Sequence, residues 1–402
     1  MTDRTIVVGA GAAGSMAALF AARSKQAVVF LEGEEEPGRK ILISGGGRCN
    51  VMPASVDPTE YHTSGSLPLL RRLLNAWPLG EVQAFFEDAL RLPLRREDDK
   101  LFPRSQRARD VRDALVKEAI KAKAQLEVNW KVAAVERGES GFLLTATDGR
   151  QLAATRVILA AGGQSVPKTG SDGSGFGLAR ALGHTVTPLY PALVPLLTDA
   201  EDLHALAGLS VPVRWTARAP GSEDSPGKIL ARGERELLFT HRGFSGPALL
   251  DASHWVTRAG AELHISWTSR EEDAWQEALA DGGSRTVHGL LRGHLPARLA
   301  TVLTARAGLQ ATDRLAELSR ESRRRLVQNL TAFSLPISGQ LGFSHAEVTG
   351  GGVPLAELQS ATLESRLVPG LHICGELLDA QGPIGGHNFL LAWISGRLAG
   401  QA

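Results

Sequence analysis

The six residues Gly9-Ala10-Gly11-Ala12-Ala13-Gly14 constrain this chain more than any other segment. They follow an apolar run, Thr5 to Val8, whose β-branched residues predict a strand. They open a helical pattern over Ala13 to Arg23, and a second predicted strand runs from Ala27 to Leu31. In a strand–turn–helix–strand unit each glycine has a separate task. Gly9 permits the tight turn, Gly11 lets a phosphate approach the backbone, and Gly14 lets helix and strand pack closely. The helix start then faces an anion with unpaired N–H groups. Glu32 stands at the end of the next strand, 18 residues after Gly14. There it would accept hydrogen bonds from adenosine ribose hydroxyls and repel a 2′-phosphate. The segment predicts dinucleotide binding by a mostly parallel α/β sheet.

Three later segments point to a flavin rather than a nicotinamide dinucleotide. Residues 38–50 read GRKILISGGGRCN; three consecutive glycines suit backbone lying against a flat or charged ligand better than a helix or strand interior. Arg39 and Lys40 could meet phosphates, and Ser44, Gly45, Gly46, Gly47, Arg48, Cys49 and Asn50 could border an aromatic ring system. Arg156 to Ala161 is a continuous apolar run, predicted as a strand buried on both faces, and it enters the turn at Gly162 and Gly163. Near the C-terminus a predicted strand ends at Gly375-Glu376. A loop through Gly385, Gly386 and His387 then leads into a last helix from about Asn388. The N-terminus of that helix would favour a reduced, anionic flavin ring.

From about Thr187 short strand-like runs alternate with Pro/Gly/Ser loops, including separate runs over KILARG and ELLFTHRG. Residues 270 to about 333 read as helical and charged, and strands return near Leu341. The middle of the chain therefore reads as an insertion into a domain built from the two ends. The expected division is a discontinuous domain of residues 1–186 plus 343–402, a β-rich insert over 187–269 and a helical part over 270–342.

GRKILISGGGRCN, the AAGG strand end, TGSDGSGFGLARALGH, LLFTHRGFSGPALL and GELLDAQGPIGGHNF together resemble the aminoacetone-oxidase-like, BaiN-type family of FAD-dependent oxidoreductases. The motifs span nearly the whole chain in the family's order. The resemblance implies a glutathione-reductase-like, three-layer FAD domain split by an insertion with β-barrel-like and helical parts. Carried across by position, Gly9, Gly11, Ala12, Ala13, Gly14 and Glu32 would hold the ADP half, with Arg39 and Lys40 near it and the Val132 backbone at the adenine. Ala161, Gly162 and Gly163 would pass beneath the cofactor. Ser44 to Asn50, Gly375, Glu376, Gly385, Gly386, His387, Asn388 and Phe389 would line the ribityl and ring end. His387 stands where the family often carries an aromatic residue. The resemblance assigns no catalytic residue.

The expected activity is hydride transfer between an organic substrate or NAD(P)H and the flavin. Without a second dinucleotide motif, NAD(P)H would dock only transiently. The alternatives are a plain NAD-dependent dehydrogenase and a flavin-binding or RNA-associated protein without turnover. A formal charge of +1 provides no field for nucleic acid, and Arg323 to Arg325 read as a solvated helix face. The eleven histidines include no HxH or HxxxH pair, so no metal site is expected. Cys49 and Cys374 are the only cysteines, which fits a reducing compartment and no disulfide framework. Ile6 to Ala22 has the apolar character of a secretory leader, but Asp3 offsets Arg4 and glycines interrupt the run. The expectation is a cytoplasmic protein acting on a small molecule, with neither a membrane span nor a stable protein partner.

Overall fold

The computed structural model describes residues 4–221, 227–281 and 283–402. The chain divides into two compact units, residues 1–191 with 346–402, and residues 192–345.

The first unit is built on a five-stranded parallel sheet. Its strand order is Leu371–Ile373, Arg156–Leu159, Arg4–Val8, Ala27–Leu31, Gln125–Glu127. Val157, Ile158 and Leu159 are fully buried, as expected for a strand covered on both faces. Helices Ala12–Arg23, Ala108–Lys121 and His387–Gln401 form one layer. An antiparallel meander of Val132–Gly138, Gly141–Ala146 and Gln151–Ala154 packs on the strand Arg156–Leu159.

Small residues bring the two ends of the chain together. A Cβ on Gly396 would lie 2.3 Å from the Ala13 carbonyl oxygen, and one on Gly400 would lie 2.4 Å from that of Ala17. These glycines, one helical turn apart, let the last helix lie backbone-close on the first. The C-terminal strand Leu371–Ile373 is thereby held in the sheet begun at Arg4.

The second unit is a seven-stranded antiparallel sheet. The order is Phe333–Ser334, Glu262–Ser266, Ser210–Arg218, Ile229–Thr240, Gly243–Ser245, Leu196–Leu197, Gly339–Gln340. The separate runs expected at KILARG and ELLFTHRG form one strand, because Gly233 sits under the Trp215 ring (a Cβ there would lie 2.6 Å from it) and continues the pairing. Strands from 333 and 339 join this sheet, and helices Glu272–Ala280, Ala297–Arg306 and Arg320–Thr331 share its hydrophobic core. The helical stretch therefore packs as part of the same unit as the sheet. No helix among the described residues is long and apolar enough to cross a membrane.

Candidate cofactor site

The three glycines of the first turn differ in what they touch. A Cβ on Gly9, where φ is +101°, would lie 2.5 Å from the Ala160 carbonyl oxygen. One on Gly14 would lie 1.8 Å from that of Gly9. Both glycines are demanded by the packing of helix, turn and strand. Gly11 is different. Its φ of −75° suits any residue, and a Cβ there would meet nothing within 4 Å. The helix that follows has neither a side-chain N-cap nor an acidic residue in its first turn. Open space in front of bare backbone at an uncapped helix start could hold a pyrophosphate.

Glu32 stands beside this turn. Its carboxylate accepts the Ala10 N–H at 3.2 Å and the Glu34 N–H at 3.1 Å. Burial pushes the carboxyl above the usual range, against these backbone hydrogen bonds. A carboxylate has about four acceptor positions, so these bonds leave capacity for a ligand hydroxyl. Main-chain bonds from Trp130 to Glu32 (2.7 Å) and from Asn129 to Glu34 (3.1 Å) run the segment before Val132 alongside. The pairing of Val132–Gly138 with Gly141–Ala146 slips between Val132 and Ala134, a bulge that disrupts the ladder beside Val132.

Arg39 and Lys40, expected together near the ADP half, diverge. Arg39 pairs with Glu34. Lys40 Nζ donates to Ser165 Oγ (2.7 Å), Glu376 Oε2 (2.8 Å) and Ser171 Oγ (3.3 Å). Glu376 Oε1 accepts the Ser165 hydroxyl and the Thr349 N–H, each at 2.8 Å. Burial alone would raise the Glu376 carboxyl; the Lys40 charge and these hydrogen bonds outweigh it and hold the group below its ordinary range. The network closes around Gly163, where a Cβ would lie 2.5 Å from Glu376 Oε1. It also adjoins the helix start, since a Cβ on Gly375 would lie 2.7 Å from that of Ala13. Four segments distant in sequence thus meet on one ion pair.

The triglycine run forms a tight turn with φ of +55°, +66° and +84° at Gly45, Gly46 and Gly47, which an L side chain adopts only under strain. Ser44 Oγ donates to the Ile41 carbonyl, closing the short helix Arg39–Ile43. The Arg48 guanidinium lies over the Phe102 ring and bonds Glu97 and Gln106. Cys49 is fully buried, and burial pushes its thiol up to about 12. Cys374 is likewise buried and pushed up to about 12. Neither thiol provides a thiolate at neutral pH.

The last helix begins at His387, one residue earlier than expected, on a left-handed Gly386 cap. The Asn388 side chain instead turns back to Gly382, donating to its carbonyl and accepting its N–H, both at 2.9 Å. A Cβ on Gly386 would lie 3.1 Å from the Asn50 carbonyl oxygen, so this loop and the triglycine segment are neighbours. His387 is buried, with Nδ1 3.2 Å from the Tyr61 hydroxyl, and Phe389 stacks on Trp393. Ser165, Ser171, Thr349 and Tyr61 were not anticipated. TGSDGSG and VTGGGV carry some of them, but nothing in the sequence states that they meet Lys40. Among the described residues no cluster of His, Cys, Asp and Glu could hold a metal.

The model of the HI0933-like protein Rossmann domain matches residues 3–402. The chain is 34% identical to a 3-dehydro-bile acid delta(4,6)-reductase of Clostridium scindens, over 100% of this chain and 98% of that protein. It is 31% identical to a ribosomal RNA dihydrouridine synthase of Escherichia coli, over 97% of this chain and 95% of that one. Among solved structures, an open flavocytochrome c3 fumarate reductase matches with a TM-score of 0.51 and 16% identity, over 100% of this chain and 78% of that one; it shares the fold. The open cradle at Gly11, the uncapped helix and the acid at position 32 fit an FAD, and the chain belongs to the HI0933-like Rossmann-domain family of FAD-dependent oxidoreductases.

Proposed function

We propose that this protein reduces a carbon–carbon double bond conjugated to a carbonyl group. The full-length likeness to a bile acid reductase carries the reading. The synthase relative is named for a product, dihydrouridine, in which the same kind of bond is saturated. FAD bound here would supply a hydride at its N5 atom. Gly11 and the start of helix Ala12–Arg23 would hold the pyrophosphate, Glu32 the adenosine ribose, and the Val132 backbone the adenine. Lys40 and Glu376 would fix the ribityl end, with Gly45–Asn50 and Gly385–Phe389 bordering the ring. The buried thiols of Cys49 and Cys374 leave dithiol exchange out of the cycle. NADH or NADPH would dock transiently as donor.

A small-molecule acceptor rather than a polyanion agrees with the even charge balance and with Arg324 being paired to Glu321. Uridine within ribosomal RNA is the second reading, favoured by the synthase relative. Stopped-flow reduction with NADH and NADPH, followed by reoxidation with conjugated enones, saturated ketones or ribosomal RNA, tests both. Rapid reoxidation by enones alone supports the small-molecule reading, and by RNA alone the second. Reduction by amines with reoxidation only by dioxygen would overturn the proposal.

A further inference from the structure

The loop from Gly163 to Gly173 is closed at its base. The Gly173 N–H donates to the Gly163 carbonyl at 2.9 Å, so the two ends lie together, as in compact surface loops of this length. Left-handed glycines flank it, Gly162 with φ of +75° and Gly173 with φ of +85°. Within it Val166 has φ of +49° and ψ of +63°, a conformation that a β-branched residue takes only when its surroundings impose it. Pro167 and Lys168, at the tip, are exposed.

Three contacts pin this loop, and each falls at a different part of the proposed cofactor. Ser165 and Ser171 accept from Lys40, which would fix the ribityl end. A Cβ on Gly170 would lie 3.8 Å from Glu32 Oε1, the group that would hold the adenosine ribose. Asp172 Oδ2 accepts from Lys131 Nζ at 2.6 Å, one residue before the Val132 backbone that would meet the adenine. The last contact is the one that can let go. Ser165 and Ser171 are buried, whereas the side chains of Lys131 and Asp172 are 49% and 31% exposed. Burial raises the Asp172 carboxyl, but Lys131 and Ser174 outweigh it and hold the group down to about 2, so the pair is ionised throughout the neutral range. A half-exposed ion pair is weak and is screened by salt, so it closes a loop without locking it. We infer that residues 164–172 form a strap over the ADP half of the cofactor, latched by the Lys131–Asp172 ion pair, which swings away for FAD to enter or leave. The inference rests on the cofactor placement proposed above.

The test is FAD binding to the full-length protein freed of flavin, followed by stopped flow. A strap that opens before the cofactor enters makes the association rate level off at high FAD concentration, at the rate of opening. Lys131→Gln and Asp172→Asn each remove the ion pair, and the asparagine keeps an acceptor for the Ser174 N–H. Both should raise that plateau and the release rate together by about two- to fivefold, the range of a half-exposed pair, with the dissociation constant changed less than either rate. Added salt should speed release from wild type towards the variants' value and leave the variants unchanged. The double variant should be no faster than either single one. Association that rises linearly with FAD in wild type, or equal release rates in wild type and variants, would overturn the strap. Absence of FAD binding by wild type would instead remove the cofactor placement.

Discussion

The turn at Gly9–Gly14 and the network around Lys40 are neighbours in the structure but are specified in different ways. The turn is local: its glycines, the helix start and Glu32 lie within 24 consecutive residues, and Gly14 meets Gly9 directly. The network is assembled from helix Arg39–Ile43, the loop at 163–171, the strand Val348–Gly350 and the turn Gly375–Leu377. Backbone sterics decide the first, whereas the second exists only after the sheet has brought its members together. A defect at Gly9 or Gly14 should therefore act on the fold, and a defect in the network should depend on which charge is left unpaired.

The largest effect is expected at Gly14→Ala. Its Cβ would lie 1.8 Å from the Gly9 carbonyl oxygen, and no rotamer relieves a Cβ clash. We expect a loss of at least about 3 kcal/mol in denaturant unfolding. A near wild-type midpoint would show that the turn can open and that its specification is weaker than its geometry.

Lys40→Met is expected to cost about 3 kcal/mol by leaving the Glu376 carboxylate without its partner; both side chains are mostly covered. Adding Glu376→Gln should recover much of that loss, which a double-mutant cycle measures. Additive losses would mean that the pair does not act as a unit.

A third effect belongs to the strand that carries the network's last member. Burial, then the Arg156 charge, lowers His372 to about 4 from 6.5. Between those values the unfolded chain binds a proton that the folded protein excludes, so stability rises with pH through this window. It is lost on acidification from 6.5 towards 4, by up to roughly 3 kcal/mol. Glu376, held below its ordinary range, contributes in the same direction at lower pH. His372→Gln should flatten the upper part of that curve in urea unfolding at stepped pH; an unchanged curve would assign the acid sensitivity elsewhere.

The same contrast marks what could be read in the sequence. The strand at Thr5, the glycine turn, the helix after it and Glu32 follow from local patterns, and the apolar run Arg156–Leu159 is recognisable by composition alone. The divergence of Arg39 and Lys40 was not legible, because two adjacent basic residues look alike until Glu34 claims one and Glu376 the other. Likewise Asn388 has the composition of a helix cap, but Gly382 lies close enough to take its side chain, and the left-handed Gly386 starts the helix instead. The helical character after 270 was legible, but its charges mask which apolar positions it lends to the neighbouring sheet.

The central claim is that Gly9 and Gly14 serve the fold while Gly11 serves the ligand. Gly11→Val tests it most directly, with thermal unfolding of the flavin-free protein and FAD titration on one preparation. Open space around Gly11 predicts an unfolding midpoint within about 1 °C of wild type, corresponding to a change below ~1 kcal/mol for a chain of this size. FAD affinity should fall at least 100-fold, because the side chain fills the space in front of the helix start. Tight FAD binding by a well-folded Gly11→Val protein, or unfolding of that protein without any ligand present, would contradict the account.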